Sequence, residues 1–262
     1  MNILDTIIAK KKIEVAERKR NKDIRALENE TFFKNKTLSF KKYLLREDKT
    51  GIIAEFKKKS PSKGIINDSS TVAEVTTAYA KFGASAISVL TDEEFFGGSL
   101  NDLQEATINE VPLLRKDFII DEYQLIESKA FGAEVILLIA ACLTKGEVKN
   151  LASFAKNIGL NVLLEIHNEQ ELAHICNDVD VVGVNNRDLK TFTVDINRSI
   201  ELSTQIPSGI IKISESGIDN IDSIKLLRKH GFNGFLIGER FMKEKNPGLA
   251  FQNFTKELKK DT

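Results

Sequence analysis

Four times in this chain a glycine separates a helix-like segment from a short apolar run: Phe82-Gly83-Ala84, Phe131-Gly132-Ala133, Ile158-Gly159-Leu160 and His230-Gly231-Phe232. Glycine there takes the left-handed conformation that ends a helix, and the residue beside it covers the helix end. The repeating unit is therefore helix, glycine stop, strand. Runs of this kind fall at 52–56, 86–90, 112–115, 135–139, 162–166, 181–185, 210–214 and 235–238. Between them the apolar spacing predicts helices, among them 72–82, 122–131, 145–158 and 221–230.

Strands that alternate with helices pair in parallel through right-handed crossovers. Near-continuous apolar runs imply that both strand faces are buried. Eight such units over about 200 residues predict the α/β class, as a closed (β/α)8 TIM barrel. An open doubly wound sheet is the alternative. Against it, no Gly-x-Gly-x-x-Gly follows the first run, and eight is the closing number.

Ahead of the barrel, residues 3–19 read as an amphipathic helix with Ile3, Leu4, Ile7, Ile8, Ile13 and Val15 as its stripe. Phe40, Tyr43, Leu44 and Leu45 return at helical spacing. Residues 1–50 thus form an N-terminal helical extension, too small for a core of its own, that packs on or caps the barrel. With 4 Pro and no flexible linker, residues 1–262 read as one domain.

Charge excludes several function classes. Lys+Arg and Asp+Glu are both 38 and the pI is near 6.9, so bulk charge attracts neither nucleic acid nor an acidic membrane. Local charge that holds a small anionic metabolite fits better. Cys142 and Cys176 lie far apart, as do His167, His174 and His230 from any ligand-like spacing, so no metal site is expected. No apolar stretch reaches the length of a membrane span, and Asp5 and Lys10 to Lys12 break the N-terminus as a signal peptide. The expectation is a cytoplasmic monomer.

Barrel enzymes build their sites from residues just past each strand. Here those ends carry Glu55 and Lys57, Lys116 and Asp117, Glu165, then Asn185, Asn186, Arg187 and Asp188, then Glu215, Ser216 and Gly217, and finally Gly238 and Glu239. Side chains alternate along a strand, so Ile53, Glu55 and Lys57 share one face. Charges are scarce within the strands and dense at this end. A purely structural barrel gains nothing from that, because clustered charges cost desolvation. Asp117, Arg187 and Asp188 have the competing reading of ion pairs that hold loops. Lysine flanked by carboxylates keeps its proton, and carboxylate flanked by lysines stays ionised, so Lys57 and Lys116 read as acids or anion holders and Glu165 as a base.

Ser216-Gly217 and Gly238 end the last two strands, where barrels often bind phosphate through backbone N–H groups; ordinary turn glycine is the bland reading. Lys57-Lys58-Lys59 with Lys63 is too short for a nucleic-acid patch, and reads as a loop that closes on an anion or as a solvated one. His167, near Glu165, either lines the site or sits in a loop, the latter preferred.

These ends resemble the indole-3-glycerol phosphate synthase family. The likeness rests on Ile-Ile-Ala-Glu-Phe-Lys-Lys-Lys-Ser-Pro-Ser-Lys-Gly at 52–64, Leu90-Thr91-Asp92-Glu93 through Phe96-Gly97-Gly98-Ser99, Pro112-Leu113-Leu114-Arg115-Lys116-Asp117-Phe118, Gly183-Val184-Asn185-Asn186-Arg187-Asp188-Leu189, Ser214-Glu215-Ser216-Gly217-Ile218 and Phe235-Leu236-Ile237-Gly238. It runs over nearly the whole chain. The resemblance implies a lyase of tryptophan biosynthesis. Such an enzyme closes an indole ring on the sugar-phosphate 1-(2-carboxyphenylamino)-1-deoxyribulose 5-phosphate, releasing CO2 and water, with no metal and no cofactor. It implies Lys116 as general acid, Glu165 as general base, and Lys57 as holder of the substrate carboxylate and helper in dehydration. Glu55, Asn185, Arg187, Glu215 and Ser216 would position hydroxyls and catalytic side chains. Ser60, Ser216, Gly217, Gly238 and Glu239 would surround the phosphate, with Phe96 against the aromatic ring. Some relatives carry Ser at 239, and the Glu239 carboxylate is expected to point outward.

Two rivals remain at this level. One resembles phosphoribosylanthranilate isomerase, a shorter barrel with a cysteine ending its first strand, where this chain has Glu55 and Lys57. The other is a non-catalytic metabolite-binding barrel, against which Lys57, Lys116 and Glu165 together argue.

Overall fold

Eight parallel strands close on themselves in chain order: β1 (Ile52–Phe56), β2 (Ala86–Leu90), β3 (Leu113–Lys116), β4 (Val135–Ile139), β5 (Asn161–Ile166), β6 (Val181–Asn185), β7 (Ile211–Glu215) and β8 (Gly234–Ile237). The computed structural model describes residues 3–189 and 191–260. Closure is made where Ile53 of β1 stands opposite Leu236 of β8. Two bounds differ usefully from the sequence reading. Lys116 and Glu215 are the last residues of β3 and β7, held by the ladder rather than by a loop.

Around the strands run α1 (Ile3–Asn21), α2 (Ile24–Glu28), α3 (Phe40–Leu44), α4 (Val72–Lys81), α5 (Glu93–Phe96), α6 (Leu100–Glu105) and α7 (Glu122–Ala130). They are followed by α8 (Lys145–Asn157), α9 (Asn197–Ser203), α10 (Ile221–Lys229), α11 (Glu239–Met242) and α12 (Pro247–Lys260). Between β5 and β6 only a 3-10 turn, Glu169–His174, makes the crossover. The four glycine stops act as the sequence implies. Gly83, Gly132, Gly159 and Gly231 all have positive φ, and the next N–H reaches back to close the helix, as from Ala84 to the Tyr79 carbonyl at 3.0 Å. Each of these helices starts on a side-chain cap, Thr71, Asp121, Thr144 or Asn220.

Strand alternation splits the core in two. Ile52, Ala54, Phe56, Ile87, Val89, Ile136, Leu138, Val162 and Leu164 face the helices. Ile53, Ala86, Leu114, Val135, Leu137, Leu163, Val181, Ile213 and Leu236 fill the inside, and Phe40 and Leu44 of α3 pack with them. The extension thus packs on the barrel through Phe40 and Leu44. Its first helix departs from the predicted stripe. The buried line of α1 is Ile7, Lys11 and Val15, one turn apart, while Ile13 is 59% exposed. A lysine in the middle of a buried line breaks the apolar pattern, and the partners that permit it come from the barrel.

Candidate active site

On four of the strands, moving two residues along from the inner apolar layer replaces hydrocarbon by charge. Ile53 is followed by Glu55, Leu114 by Lys116, Leu163 by Glu165 and Ile213 by Glu215, all on the inward face. Because the ladder fixes each strand's height, these groups arrive at one level. Lys116 Nζ lies 3.0 Å from Glu165 Oε2 and 3.8 Å from Glu215 Oε2. Lys57 Nζ donates to Glu55 Oε1 at 2.7 Å. Two inward glycines make room for the carboxylates. A Cβ on Gly183 would stand 2.2 Å from Glu215 Oε1, and one on Gly238 would stand 2.5 Å from Glu55 Oε1.

The shared lysine sorts the carboxylates by protonation. Burial works against the Lys116 ammonium, but Glu165, Glu215 and Glu55 outweigh it and hold the lysine protonated well above its ordinary range. Burial also works against an ionised Glu165, yet the Lys116 charge and then His167 hold it below the usual carboxylate range. Glu215 goes the other way. Burial and the neighbouring Glu165 charge push it up, and its Oε1 is buried without a hydrogen-bond partner. The site thus pairs an ionised with a more weakly acidic carboxyl around one ammonium.

These groups floor a cleft of about 630 Å³. Every residue given a role by the family resemblance lines it: Glu55, Lys57, Ser60, Phe96, Lys116, Glu165, Asn185, Arg187, Glu215, Ser216, Gly217, Gly238 and Glu239; Asn186 and Asp188, also named at the end of β6, do not. Phe96 faces Phe118 with ring centroids 6.2 Å apart, a wall for a flat apolar group. At the other side Ser216, with φ of +67°, and Gly217, with φ of +74°, turn the chain after β7. Ser216 Oγ donates to Asn185 Oδ1 at 2.9 Å, and the same oxygen accepts the Arg187 N–H at 3.0 Å. A non-glycine residue in the left-handed region is a strained one, and such strain collects at functional sites.

Two expectations change. Glu239 does not point outward: its carboxylate lies 3.7 Å from Arg187 and 3.8 Å from Lys63, drawn in by the two cations of the mouth. In the lysine run only Lys57 and Lys63 line the cleft. Lys58 is taken by Asp102 at 2.9 Å and Lys59 by the Glu94 carbonyl at 2.6 Å, which pins the short ribbon of Lys59–Ser60 against Gly64–Ile65 to α6 and α5. His167 sits in the loop just after β5, the reading preferred from the sequence, and is buried there.

Sequence reasoning also missed the part played by α1. Ile3, Leu4 and Ile7 line the cleft. Lys11, buried, reaches Asp92 at 2.8 Å and Asp117 at 2.9 Å, the residues that follow β2 and β3. Asp92 caps α5, which carries Phe96, and Asp117 adjoins Lys116. Asp117 is further held by Arg115 at 3.0 Å. The ion-pair reading of Asp117 is therefore the one the geometry supports. Only the apolar residues at the start of α1 hinted at this contact. Among the described residues, no group of three or more His, Cys, Asp or Glu is disposed to hold a metal ion.

A closed barrel with an acid–base cluster at the C-terminal mouth, an aromatic wall and a cation-bearing rim defines a (β/α)8 enzyme for small anionic substrates. The indole-3-glycerol phosphate synthase family model matches residues 4–254. A protein of Bacteroides thetaiotaomicron named indole-3-glycerol phosphate synthase is 47% identical, with 98% of this chain and 99% of that one covered, and one of Salinibacter ruber is 41% identical, with 99% and 97% covered. The chain belongs to the indole-3-glycerol phosphate synthase family. Among solved structures, 3-hexulose-6-phosphate synthase from Salmonella typhimurium (TM-score 0.62, 9% identity, 80% of this chain and 99% of that one) shares the fold. So does tryptophan synthase subunit alpha from Legionella pneumophila (TM-score 0.59, 12% identity, 84% and 97%).

Proposed function

We propose that this chain converts 1-(2-carboxyphenylamino)-1-deoxyribulose 5-phosphate to indole-3-glycerol phosphate, CO2 and water. The carrying observation is Lys116 Nζ at 3.0 Å from Glu165 Oε2, on the floor of a cleft that has an aromatic wall on one side and cations on the other. Ring closure forms a carbon–carbon bond between the carboxylate-bearing ring carbon and the ketone carbon. The ketone oxygen takes a proton, the carboxylate leaves as CO2, and the oxygen later leaves as water. Lys116 is the acid at the ketone oxygen and Glu165 the base for the proton lost on the way to the aromatic indole. Lys57, held by Glu55, receives the substrate carboxylate and assists dehydration. A substrate oxygen that draws Lys116 away from Glu165 also restores the basicity of that carboxylate, so binding itself arms the base.

Phe96 and Phe118 take the anthranilate ring. Ser60, Ser216, Gly217 and Gly238 take the phosphate, with Arg187 and Lys63 supplying charge. Glu239 competes with the phosphate for those two cations, and is displaced or rotated when the anion enters. Asn185 and Glu215 position Ser216, Lys116 and the sugar hydroxyls. The chain is further read as a cytoplasmic monomer with no nucleic-acid partner, in keeping with its zero net charge. Among the described residues no helix is long and apolar enough to cross a membrane.

The test is fluorescence detection of the indole product from the open-chain substrate, with EDTA present. Indole emission that grows with time and survives EDTA is expected, and its absence with intact protein would sink the reading.

A further inference from the structure

We infer that His167 is a positioning residue that clamps the free oxygen of Glu165 as an imidazolium, with Glu171 as its anchor. This rests on the reading of Glu165 as general base. Glu165 has two carboxylate oxygens with different partners. Oε2 faces Lys116 at 3.0 Å, and Oε1 lies 3.3 Å from His167 Nε2. This is an ion-pair distance, at which the buried nitrogen has no aligned hydrogen bond and no other partner among the described residues. Behind the ring, Glu171 Oε2 lies 3.2 Å from His167 Nδ1 and accepts the His167 backbone N–H at 2.7 Å. Asn168 Nδ2 donates to the other Glu171 oxygen at 2.8 Å. The order across the site is therefore Glu171, His167, Glu165, Lys116: anion, imidazole, anion, ammonium.

His167 follows the last residue of β5, two positions beyond Glu165, and its ring lies beside the Glu165 carboxylate. It is 8% exposed and does not line the cleft, which makes it a residue that acts through Glu165 rather than on substrate. A ring flanked by a carboxylate on each nitrogen carries both protons. Burial opposes the charge, but Glu165 and Glu171 overcome it and raise His167 to about 9. Other ionisable groups near the cluster are few. Lys116 of β3 and Glu215 of β7 lie beyond Glu165. The Cys142 thiol, in the turn after β4, is pushed up to about 12 by burial and then by Glu165 and Glu171, and stays neutral. His174 engages the Leu143 and Glu171 carbonyls.

A general base must meet its proton at a fixed angle, and a carboxylate held at one oxygen only can rotate about its Cγ–Cδ bond. The imidazolium removes that freedom. Misplacement of this kind costs rate rather than affinity. While Lys116 is engaged with substrate, His167 is also the cation that keeps Glu165 ionised in a buried place.

The experiment combines pH-dependent kinetics with 15N NMR of the histidine rings, for the wild-type protein, His167→Asn and Glu171→Gln, with thermal unfolding as a folding control. In the wild type His167 should titrate near pH 9, and in Glu171→Gln at least about one unit lower, because one of its two carboxylates is gone. His167→Asn should lose about tenfold or more in kcat with KM within about twofold, and should lack the wild-type fall in rate near pH 9. Its kcat should match the alkaline plateau of the wild type. A His167 ring that titrates at or below its ordinary value in folded protein would overturn the inference. So would a folded His167→Asn with wild-type kcat and an unchanged alkaline limb. Absence of indole product from the wild type would remove the proposed reaction, while the NMR titration would still decide whether the clamp exists.

Discussion

Lys116 Nζ stands 3.0 Å from Glu165 Oε2 although the two residues are 49 positions apart in the chain and belong to strands that are not neighbours. Only a closed ring of strands at fixed heights brings them together, and that closure is what turns scattered charges into an acid–base pair.

The pair fixes the pH dependence of turnover. The sequence reading expects a bell that needs an ionised Glu165 and a protonated lysine. In the structure each moves outward, Glu165 down and Lys116 up, after the mutual charge has overcome burial. Neither then titrates in the middle range. What remains is His167, raised to about 9, together with Glu215, raised from its ordinary value. kcat/KM should accordingly fall on the alkaline side near pH 9, below the ordinary lysine range. A rate profile measured from pH 5 to 11 checks this, and a decline that begins only above pH 10 would contradict it.

How much of this was legible in the sequence depends on range. The strands were visible because both faces of each are buried, and the helix ends because Gly83, Gly132, Gly159 and Gly231 must adopt positive φ. Glu55, Glu165 and Glu215 were visible because each stands two residues beyond an inward apolar residue. Lys11 was not, since its three carboxylates come from Glu14, Asp92 and Asp117, and only folding brings the last two near. The inward turn of Glu239 and the outward capture of Lys58 and Lys59 likewise depend on partners from other loops. Charge at a strand end can be read locally; the cation or anion it will choose cannot.

Stability should follow two opposed titrations. Burial raises Asp117, but Arg115 and Lys11 outweigh it and hold its folded-state pKa below the ordinary carboxylate range. Its contribution is present above the unfolded value of about 3.9 and is lost as pH falls below it. His167 has the opposite sign. Its folded value is above its ordinary 6.5, so its contribution is full below that and is lost as pH rises through about 9. Glu215, raised from 4.5 to about 8, adds a loss that begins as pH rises through 4.5 and is complete above about 8. Denaturant midpoints should be highest near the ordinary carboxylate range, about pH 4 to 5, and lower at both pH 3 and pH 9.5. A midpoint that keeps rising from pH 6 to 9.5 would contradict these signs.

Arg115 is fully buried between Asp117 at 3.0 Å and Glu127 at 2.9 Å. Its removal leaves buried carboxylates short of a cation, which costs about 3–5 kcal/mol. Arg115→Ala should therefore lower Tm by roughly 10 °C in a chain of this size. Calorimetry decides, and a Tm within 2 °C of wild type (roughly 1 kcal/mol or less) would show that the network contributes little.

Gly238 is set by its neighbour rather than by its own conformation. An added Cβ would lie 2.5 Å from Glu55 Oε1 and 2.9 Å from Glu55 Cβ, so Glu55 must move and take Lys57 with it. Gly238→Ala should cost about 1–3 kcal/mol of stability and, through the displaced Lys57, about tenfold or more in kcat/KM. Steady-state kinetics on folded variant checks this; unchanged kcat/KM would separate Gly238 from the site.

The most direct test is a double-mutant cycle on kcat with Lys116→Met, Glu165→Gln and the two combined. If the two side chains act as one acid–base unit, each single change should lower kcat by at least about 10², with circular dichroism unchanged. The double variant should then be little worse than the poorer single. Wild-type-like turnover in either single variant, or strictly multiplicative losses in the double, would contradict a joint catalytic role for Lys116 and Glu165.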